Sequence, residues 1–536
     1  MVPETSRPLV VLTRFRHAII ALAVLIIVVL GWRGRGPLGI TSGDDLTYLA
    51  LSKSLESGSY RETYLAGAPL HVKYPPGYPV WLMAVRQVAG ENLDVIRVAN
   101  LALIAAFTLC LYGIMRRVAG VPLALAAILL VALNHTVLRV GGTLLSEPLF
   151  LALVGASLLC TVRASPHEGR HAAGAIAFAT AAYLTRTAGL ALLLGIGVWL
   201  WQRRRPRELI AYVASSLVAV GGWFAYTAAV PQALSGWSYG VDIARGLGTS
   251  SPGVPARLLL SSWHNSVGYL TEGLPWSVGL PTLQGTLVDN LAWLVAMVLL
   301  LAVGLLVFWR KSRAVAGYLV FGWMLLATWP WRVDRLLVPL LPFVIAGMLI
   351  GMQLLTGRLS QAWRAPARVA LLVLMGFGAA RSALARDASI TRCDRKNPYQ
   401  SPACYDEEAR TLAAASDYLR SNAPPGTIVM TRDGPGVHYL SGHLTAWPQL
   451  IEGLPEGEEV RVLRERNIRY FLITGRGEYV RLRLAPALLR SCHELRVEAQ
   501  FGTGALLLFA GLPRTAAENA CAVLEELAAA PARGDT

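Results

Sequence analysis

Eleven apolar stretches divide the chain, and most approach the roughly twenty residues that an α-helix needs to cross the hydrocarbon core of a membrane. Short polar or basic connections separate them. The predicted spans cover residues 17–34, 94–115, 119–138, 144–162, 171–185, 187–202, 209–230, 287–309, 314–330, 334–355 and 367–385. The pattern predicts a polytopic α-helical membrane protein.

The pattern changes near residue 386, where charges become evenly spread and apolar runs shorten to the length of strands. Helical periodicity covers 406–421 and 458–466, whereas the segments TIVM, IRYFLIT and ALLLFAG are typical of buried strands. We therefore expect a transmembrane domain over 1–385, with long external loops at 35–92 and 231–286. A small α/β domain is expected over 386–536.

Composition agrees with a membrane protein. Hydrophobic residues make up 54% of the 536 residues and charged residues only 15%, which is too apolar for one water-soluble domain. The first apolar run has a basic flank but no cleavage site of small residues after it. We therefore expect a retained span rather than a removable signal peptide.

The net charge of +16 could indicate a nucleic acid partner, but the basic residues lie in short clusters between apolar runs. Nearly every cluster falls on alternate connections, with Arg33 and Arg35 as the exception, as the positive-inside tendency expects. The charge pattern predicts a cytoplasmic N-terminus, an extracytoplasmic C-terminal domain and no nucleic acid partner.

Cysteine usage fits that topology, because four of the six cysteines lie in the predicted extracytoplasmic domain. An oxidising compartment permits disulfides there. Proximity in sequence favours the pairs Cys393–Cys404 and Cys492–Cys521, and unpaired buried thiols remain the alternative.

Chemically distinctive residues begin in the first external loop. Asp44 and Asp45 open a helix-like segment, and the later sequence KYPPGYP combines Lys73 with a stiff Pro-Pro turn. Further polar motifs precede later apolar runs: LSEPL with Glu147, TRT with Arg186, and RLLVPLLP, which begins at Arg335. Their order and their common side of the membrane resemble the GT-C membrane glycosyltransferases, in particular the branch with protein O-mannosyltransferases and the lipid A aminoarabinose transferase. The resemblance covers roughly the first 350 residues.

The resemblance implies transfer of a sugar from a polyprenyl-phosphate donor to a hydroxyl of an acceptor protein, lipid or glycan, in a bacterial-type cytoplasmic (inner) membrane. It assigns the general base to Asp44, and it places Asp45 where a Glu is commoner, as the second catalytic candidate. Lys73, Arg186 and Arg335 become candidates for binding the donor phosphate. Glu147 would be a second acid or the ligand of a divalent metal ion, the one cofactor that is considered.

Simpler roles remain open for each of these residues. Adjacent aspartates or a glutamate at a helix start are often only caps, and Lys73 could anchor at the lipid headgroups. Arg335 could be ordinary flanking charge, and Arg186 could belong to a structural ion pair.

Two weaker regions complete the candidates. The loop 231–286 contains His264 and Glu272 as possible site residues among several aromatic residues. Interfacial anchoring would explain these aromatic residues, and the alternative is that they line a lid over the sugar and the lipid. In the tail, Asp433, His438 and His443 match no hydrolase or metal signature, so we expect an acceptor-binding or structural module.

A transporter or a flippase for lipid-linked sugars is the main alternative to an enzyme. Many spans with internal charges would suit a substrate path. The hydropathy shows no repeated halves with matched broken segments, which argues against that alternative. A non-catalytic scaffold is the third interpretation.

Overall fold

The computed structural model describes residues 14–36, 44–164, 169–231, 254–278, 291–329, 332, 334–394, 398–451, 454–455, 458–475, 479–502, 505–510 and 519–529. The chain forms two compact units. The helical unit comprises Met1–Arg35 with Val72–Ala388, and the α/β unit comprises Gly36–His71 with Ser389–Thr536.

The helices up to the end of the helical unit are, in chain order, α1 (Arg16–Arg33), α2 (Asp44–Glu56, in the α/β unit), α3 (Gly77–Ala89), α4 (Leu93–Val118), α5 (Val121–Ala132), α6 (His135–Gly141), α7 (Glu147–Arg163), α8 (Gly169–Thr185), α9 (Leu190–Arg203), α10 (Pro206–Ala229), α11 (Val254–Gly268), α12 (Leu274–Ser277), α13 (Leu291–Lys311), α14 (Arg313–Thr328), α15 (Leu341–Thr356) and α16 (Gln361–Thr391). The remaining helices are α17 (Glu407–Asn422), α18 (Gly434–Ser441), α19 (Glu458–Glu465), α20 (Ala485–Leu489) and α21 (Cys521–Ala529).

Each predicted span overlaps a helix or a broken helix of the helical unit. Within the described ranges, five helices are long and apolar enough to cross a membrane, namely α1, α4, α10, α13 and α16. The pair α5 and α6, bent by 62°, would add a sixth if it forms one broken span. The polytopic helical architecture is therefore confirmed, and the number of eleven spans stays a prediction.

Several helices of this unit pack with unusually close backbones. A Cβ atom at Gly195 of α9 would lie 2.7 Å from the backbone N of Tyr318 and 2.9 Å from the carbonyl oxygen of Ala314, both on α14. Small residues allow such contacts between membrane helices, where packing replaces the hydrophobic effect as the driving force. The glycine thus fixes the α9–α14 interface.

The α/β unit contains a five-stranded sheet with the order β2-β1-β3-β5-β4. Its strands are β1 (Ile428–Thr431), β2 (Leu444–Ala446), β3 (Ile468–Thr474), β4 (Leu495–Phe501) and β5 (Ala505–Ala510). β1 runs parallel to β2 and β3, whereas β5 is antiparallel to β3 and β4. The three predicted strands are confirmed as β1, β3 and β5, and the two predicted helices as α17 and α19.

The predicted first external loop is divided between the two units. Residues 44–71 group with the α/β unit, where Leu65 forms a parallel bridge to Thr445 of β2. The backbone N of Ala66 donates to the carbonyl oxygen of Thr445 at 2.9 Å, and that of Thr445 donates to Tyr64 at 2.9 Å. The outer edge of β2 offers unpaired backbone groups, and this segment satisfies them.

Two disulfides close the α/β unit, Cys393–Cys404 and Cys492–Cys521, with Cα atoms 4.6 Å and 4.9 Å apart. This is the pairing that proximity in sequence favours. The first disulfide closes the segment before α17, and the second joins the start of α21 to the turn before β4.

We expect Gly195→Ala to destabilise the helical unit by about 1–3 kcal/mol, because the added methyl group meets backbone atoms that cannot rotate away. Gly376→Ala in α16 is the matched control, since nothing lies within 4 Å of its added Cβ. Thermal unfolding in detergent, followed by fluorescence-detected size-exclusion chromatography, should show a lower midpoint for Gly195→Ala only. Equal midpoints would contradict the close α9–α14 contact.

Candidate functional site

A buried carboxylate between two guanidinium groups is the central feature of the helical unit. Glu147 is the first residue of α7, and its side chain is fully buried. Its Oε1 lies 2.9 Å from Nη1 of Arg186 and 2.8 Å from Nε of Arg335. The structure thus brings together three residues that the sequence singled out on separate segments.

Local breaks in the helices place each member of this cluster. Arg186 occupies an extended position between α8 and the 3₁₀ turn Thr187–Gly189, and its Nη1 also donates to Ser146 Oγ at 2.7 Å. Arg335 lies on the 3₁₀ turn Asp334–Leu337. The Tyr318 hydroxyl donates to the carbonyl oxygen of Pro339 at 3.1 Å and secures the chain just beyond that turn.

The Pro-Pro-Gly motif docks beside the same cluster. A Cβ atom at Gly77 would lie 2.6 Å from the carbonyl oxygen of Leu184, two residues before Arg186, so no larger residue fits there. Asn100 then links Tyr78 to the start of α7, because its Nδ2 contacts the Tyr78 hydroxyl at 3.0 Å and the Thr143 carbonyl oxygen at 2.8 Å. Asn100 therefore links the Pro-Pro-Gly motif to the turn that precedes Glu147.

Lys73 opens this motif, and its Nζ lies 5.7 Å from the centroid of the Tyr74 ring. The contact is a cation–π interaction. Lys73 belongs to the helical unit together with Arg186 and Arg335.

The electrostatics of the cluster favour an anion. Two guanidinium groups against one carboxylate leave a net charge of one positive unit in a largely buried position, where the side chains of Arg186 and Arg335 are 11% and 20% exposed. Each guanidinium carries five N–H donors in a planar fork that matches phosphate geometry. The arrangement can bind a phosphate group and stabilise charge that develops on it.

A divalent metal ion at Glu147, the alternative role from the sequence, would compete with both arginines for the same carboxylate. In the part of the chain that the structure describes, one further group has metal-ligand geometry, Cys492, His493 and Cys521. Its two cysteines form a disulfide, which leaves His493 as the remaining ligand. Neither location offers a set of free anionic ligands, so the metal stays a prediction.

Asp44 and Asp45 begin α2 in the α/β unit. Asp45 is 3% exposed, and its Oδ1 accepts a hydrogen bond from the backbone N of Leu46 at 3.0 Å. Asp44 is half-buried, and its charge acts on the nearby phenol of Tyr64. Of the two aspartates, Asp44 is therefore the more accessible to a substrate hydroxyl.

The described part of the second external loop packs beside the turn that carries Arg335. Asn265 of α11 donates through Nδ2 to the carbonyl oxygens of Ala327 and Trp329, at 3.0 Å and 2.7 Å. Glu272 forms an ion pair with Arg332, three residues before Arg335. His264 is exposed on α11. Two of the aromatic residues of the loop 231–286, Trp237 and Tyr239, lie outside the described residues.

Sequence reasoning missed several polar residues that support these sites. Asn100, Asn265 and Tyr318 each hold the backbone of a functional turn. The available signal in each case was a single polar side chain within a helix, since a buried polar group must find a hydrogen-bond partner. The partner itself lies far along the chain and could not be read locally.

Part of the chain matches a known protein family. Residues 73–230, which include Lys73, Glu147 and Arg186, match the family model described as dolichyl-phosphate-mannose-protein mannosyltransferase. No curated protein matches the chain by sequence.

Solved membrane proteins share the fold. The structure of ArnT from Cupriavidus metallidurans bound to undecaprenyl phosphate is 14% identical with a TM-score of 0.52, over 93% of this chain and 98% of that one. The oligosaccharyltransferase of Archaeoglobus fulgidus, tethered to an acceptor peptide, is 13% identical with a TM-score of 0.51, over 94% and 75%. The same enzyme in complex with zinc and sulfate is 12% identical with a TM-score of 0.52, over 93% and 74%.

We expect Glu147→Gln to lower the stability of the helical unit by about 3 kcal/mol, because it removes the charge of a buried carboxylate that pairs with two largely buried guanidinium groups. Glu458→Gln is the control, since that carboxylate pairs with Arg461 on the exposed face of α19. Exposed pairs contribute little to stability. Thermal midpoints in detergent measure both variants, and an unchanged midpoint for Glu147→Gln would rule out a stabilising role for the carboxylate.

Proposed function

We propose that this chain, a member of the GT-C superfamily of membrane glycosyltransferases, transfers a sugar from a polyprenyl-phosphate donor to an acceptor hydroxyl on the extracytoplasmic side. The cluster of Glu147, Arg186 and Arg335 is the observation that carries the proposal. An enzyme that releases a lipid phosphate needs fixed cations at the leaving group, and this cluster supplies two of them.

The two arginines have the role of phosphate ligands. They bind the donor phosphate through N–H donors that Glu147 does not use, and they stabilise the second negative charge that appears as the sugar–phosphate bond breaks. Glu147 holds both guanidinium groups in position and limits the net charge, so that the released lipid phosphate can dissociate. Lys73 is a third candidate cation in the same unit.

Asp44 has the role of general base. Its carboxylate accepts the proton of the acceptor hydroxyl while that oxygen attacks the anomeric carbon from the side opposite the phosphate. One C–O bond forms as the other breaks, and the configuration inverts. The buried position of Asp45 suits a structural role at the start of α2.

The relatives support the choice of substrates. The ArnT structure contains undecaprenyl phosphate, and the archaeal enzyme was captured with an acceptor peptide. The match to a mannosyltransferase model covers the residues between Lys73 and the end of α10. These relatives favour a polyprenyl phosphate donor, and the sugar and the acceptor are left to experiment.

We expect Asp44→Asn to reduce sugar transfer by about 10²–10⁴-fold, because an amide cannot accept the proton. Transfer is measured as restoration of the missing envelope sugar in cells that lack the protein, relative to the amount of protein in the membrane. Asp417→Asn, on the exposed face of α17, is the matched control. Full restoration by Asp44→Asn would remove this residue from the mechanism.

We expect Arg186→Gln and Arg335→Gln each to weaken the binding of undecaprenyl phosphate about 10- to 100-fold, because each removes a charge-assisted hydrogen bond. Added salt should weaken binding to the unaltered protein more than binding to either variant. Fluorescence titration of the purified protein in detergent measures both effects, with Arg461→Gln as the control. Unchanged affinity in both variants would place the lipid phosphate elsewhere.

A further inference from the structure

The α/β unit combines the C-terminal part of the chain, Ser389–Thr536, with the earlier segment Gly36–His71, which carries Asp44. Tyr64 lies where these two parts of the unit meet. The backbone N of Thr445 donates to the carbonyl oxygen of Tyr64 at 2.9 Å, and Thr445 Oγ1 donates to the same oxygen at 3.0 Å. Thr445 belongs to β2, so Tyr64 is anchored to the edge of the sheet. α18, which leads into β2, also packs against α2.

The side chain of Tyr64 turns from this anchor toward the start of α2. Its hydroxyl donates to Glu62 Oε2 at 3.0 Å, and the side chain of Thr47 lies within hydrogen-bonding reach of the phenol and acts to lower its pKa. Thr47 lies three residues after Asp44 and therefore on the same face of the helix. Burial raises the pKa of the Tyr64 phenol well above its ordinary value, and the charges of Glu62 and Asp44 raise it further, so the hydroxyl stays a donor.

A buried contact between a histidine and a carboxylate lies next to Tyr64. His71 Nδ1 is 2.7 Å from Glu62 Oε1, and both side chains are 2% exposed. The Tyr60 ring meets the His71 ring edge-on at 5.4 Å, and the backbone N of His71 donates to the Tyr60 carbonyl oxygen at 2.9 Å. These contacts hold Glu62 and His71 in one arrangement and so fix the segment that carries Tyr64.

We propose that the C-terminal α/β unit acts as the scaffold that positions Asp44, through the path Thr445–Tyr64–Thr47, with Glu62 and His71 locking Tyr64. The inference rests on the proposed function, because it assigns a purpose to this network only if Asp44 is the base. Tyr64, Glu62 and His71 are positioning residues, and none of them takes part in bond making.

The competing role for this unit is acceptor binding around α18, by Asp433, His438 and His443. All three side chains form contacts within the unit. Asp433 accepts a hydrogen bond from the Thr474 hydroxyl, and burial raises the pKa of its carboxyl group. His443 Nε2 lies 3.1 Å from the Leu419 carbonyl oxygen, and His438 Nδ1 lies 3.0 Å from that of His443. These side chains stabilise the scaffold.

Hydrogen–deuterium exchange in the full-length protein tests the network directly. Tyr64→Phe keeps the ring and removes the hydroxyl, so amides of α2 should exchange about three- to tenfold faster, as loss of one net hydrogen bond predicts. Thr47→Val should act in the same direction, and Thr47→Ser, which keeps a hydroxyl, should restore slow exchange. Tyr439→Phe, at an exposed position of α18, should leave α2 unchanged. Unchanged exchange in both Tyr64→Phe and Thr47→Val would overturn the inference.

A second measurement separates positioning from general damage. Tyr64→Phe and Thr47→Val should lower sugar transfer in cells at least tenfold while purified protein binds undecaprenyl phosphate as before. Loss of lipid binding in parallel with transfer would show a global defect and overturn a positioning role. Normal transfer despite faster exchange would also overturn it.

The Asp44→Asn variant distinguishes the inference from its premise. If that variant transfers sugar normally, Asp44 is not the general base and the network has no catalytic purpose. This holds even if hydrogen–deuterium exchange shows that Tyr64 and Thr47 stabilise α2. If Asp44→Asn is inactive and Tyr64→Phe is fully active, only the positioning role fails.

Discussion

The fully buried carboxylate of Glu147 constrains the arrangement of the helical unit around it. An isolated carboxylate at such a position would be too costly to remain ionised, so its two guanidinium partners must be held in place. Those partners come from chain segments far apart in sequence, and each arises where a helix is interrupted. The pattern of short helices around the cluster is the structural consequence.

The interruptions are themselves stabilised by specific polar contacts. Asn100 ties the Tyr78 turn to the approach of α7, and Tyr318 secures the chain after Arg335. Backbone that leaves helical geometry inside an apolar unit loses hydrogen bonds that water cannot replace, so each break needs such a partner. A site with fixed charges is therefore built from many contacts that never meet the substrate.

Local sequence patterns predicted the long helices of the helical unit, α17 and α19 of the α/β unit, three of the five described strands, and the residues Glu147, Arg186 and Arg335 as candidates. They predicted these because apolar periodicity and charged residues at helix starts are local features. β2 is only three residues long and β4 is half-exposed along most of its length, so neither carries a clear apolar pattern. The grouping of residues 44–71 with the α/β unit rests on contacts with residues far along the chain, such as the bridge from Leu65 to Thr445, which no local pattern records.

The predicted first external loop is divided between the α/β unit and the helical unit, and the boundary lies between His71 and Val72. His71 completes the buried pair of the α/β unit, and Lys73 begins the Pro-Pro-Gly motif of the helical unit only two residues later. The prolines at positions 75 and 76 restrict the backbone that follows. Each side of this junction is fixed by contacts within its own unit. His71 contacts Glu62 in the α/β unit, whereas Gly77 of the Pro-Pro-Gly motif lies against the carbonyl oxygen of Leu184 in the helical unit.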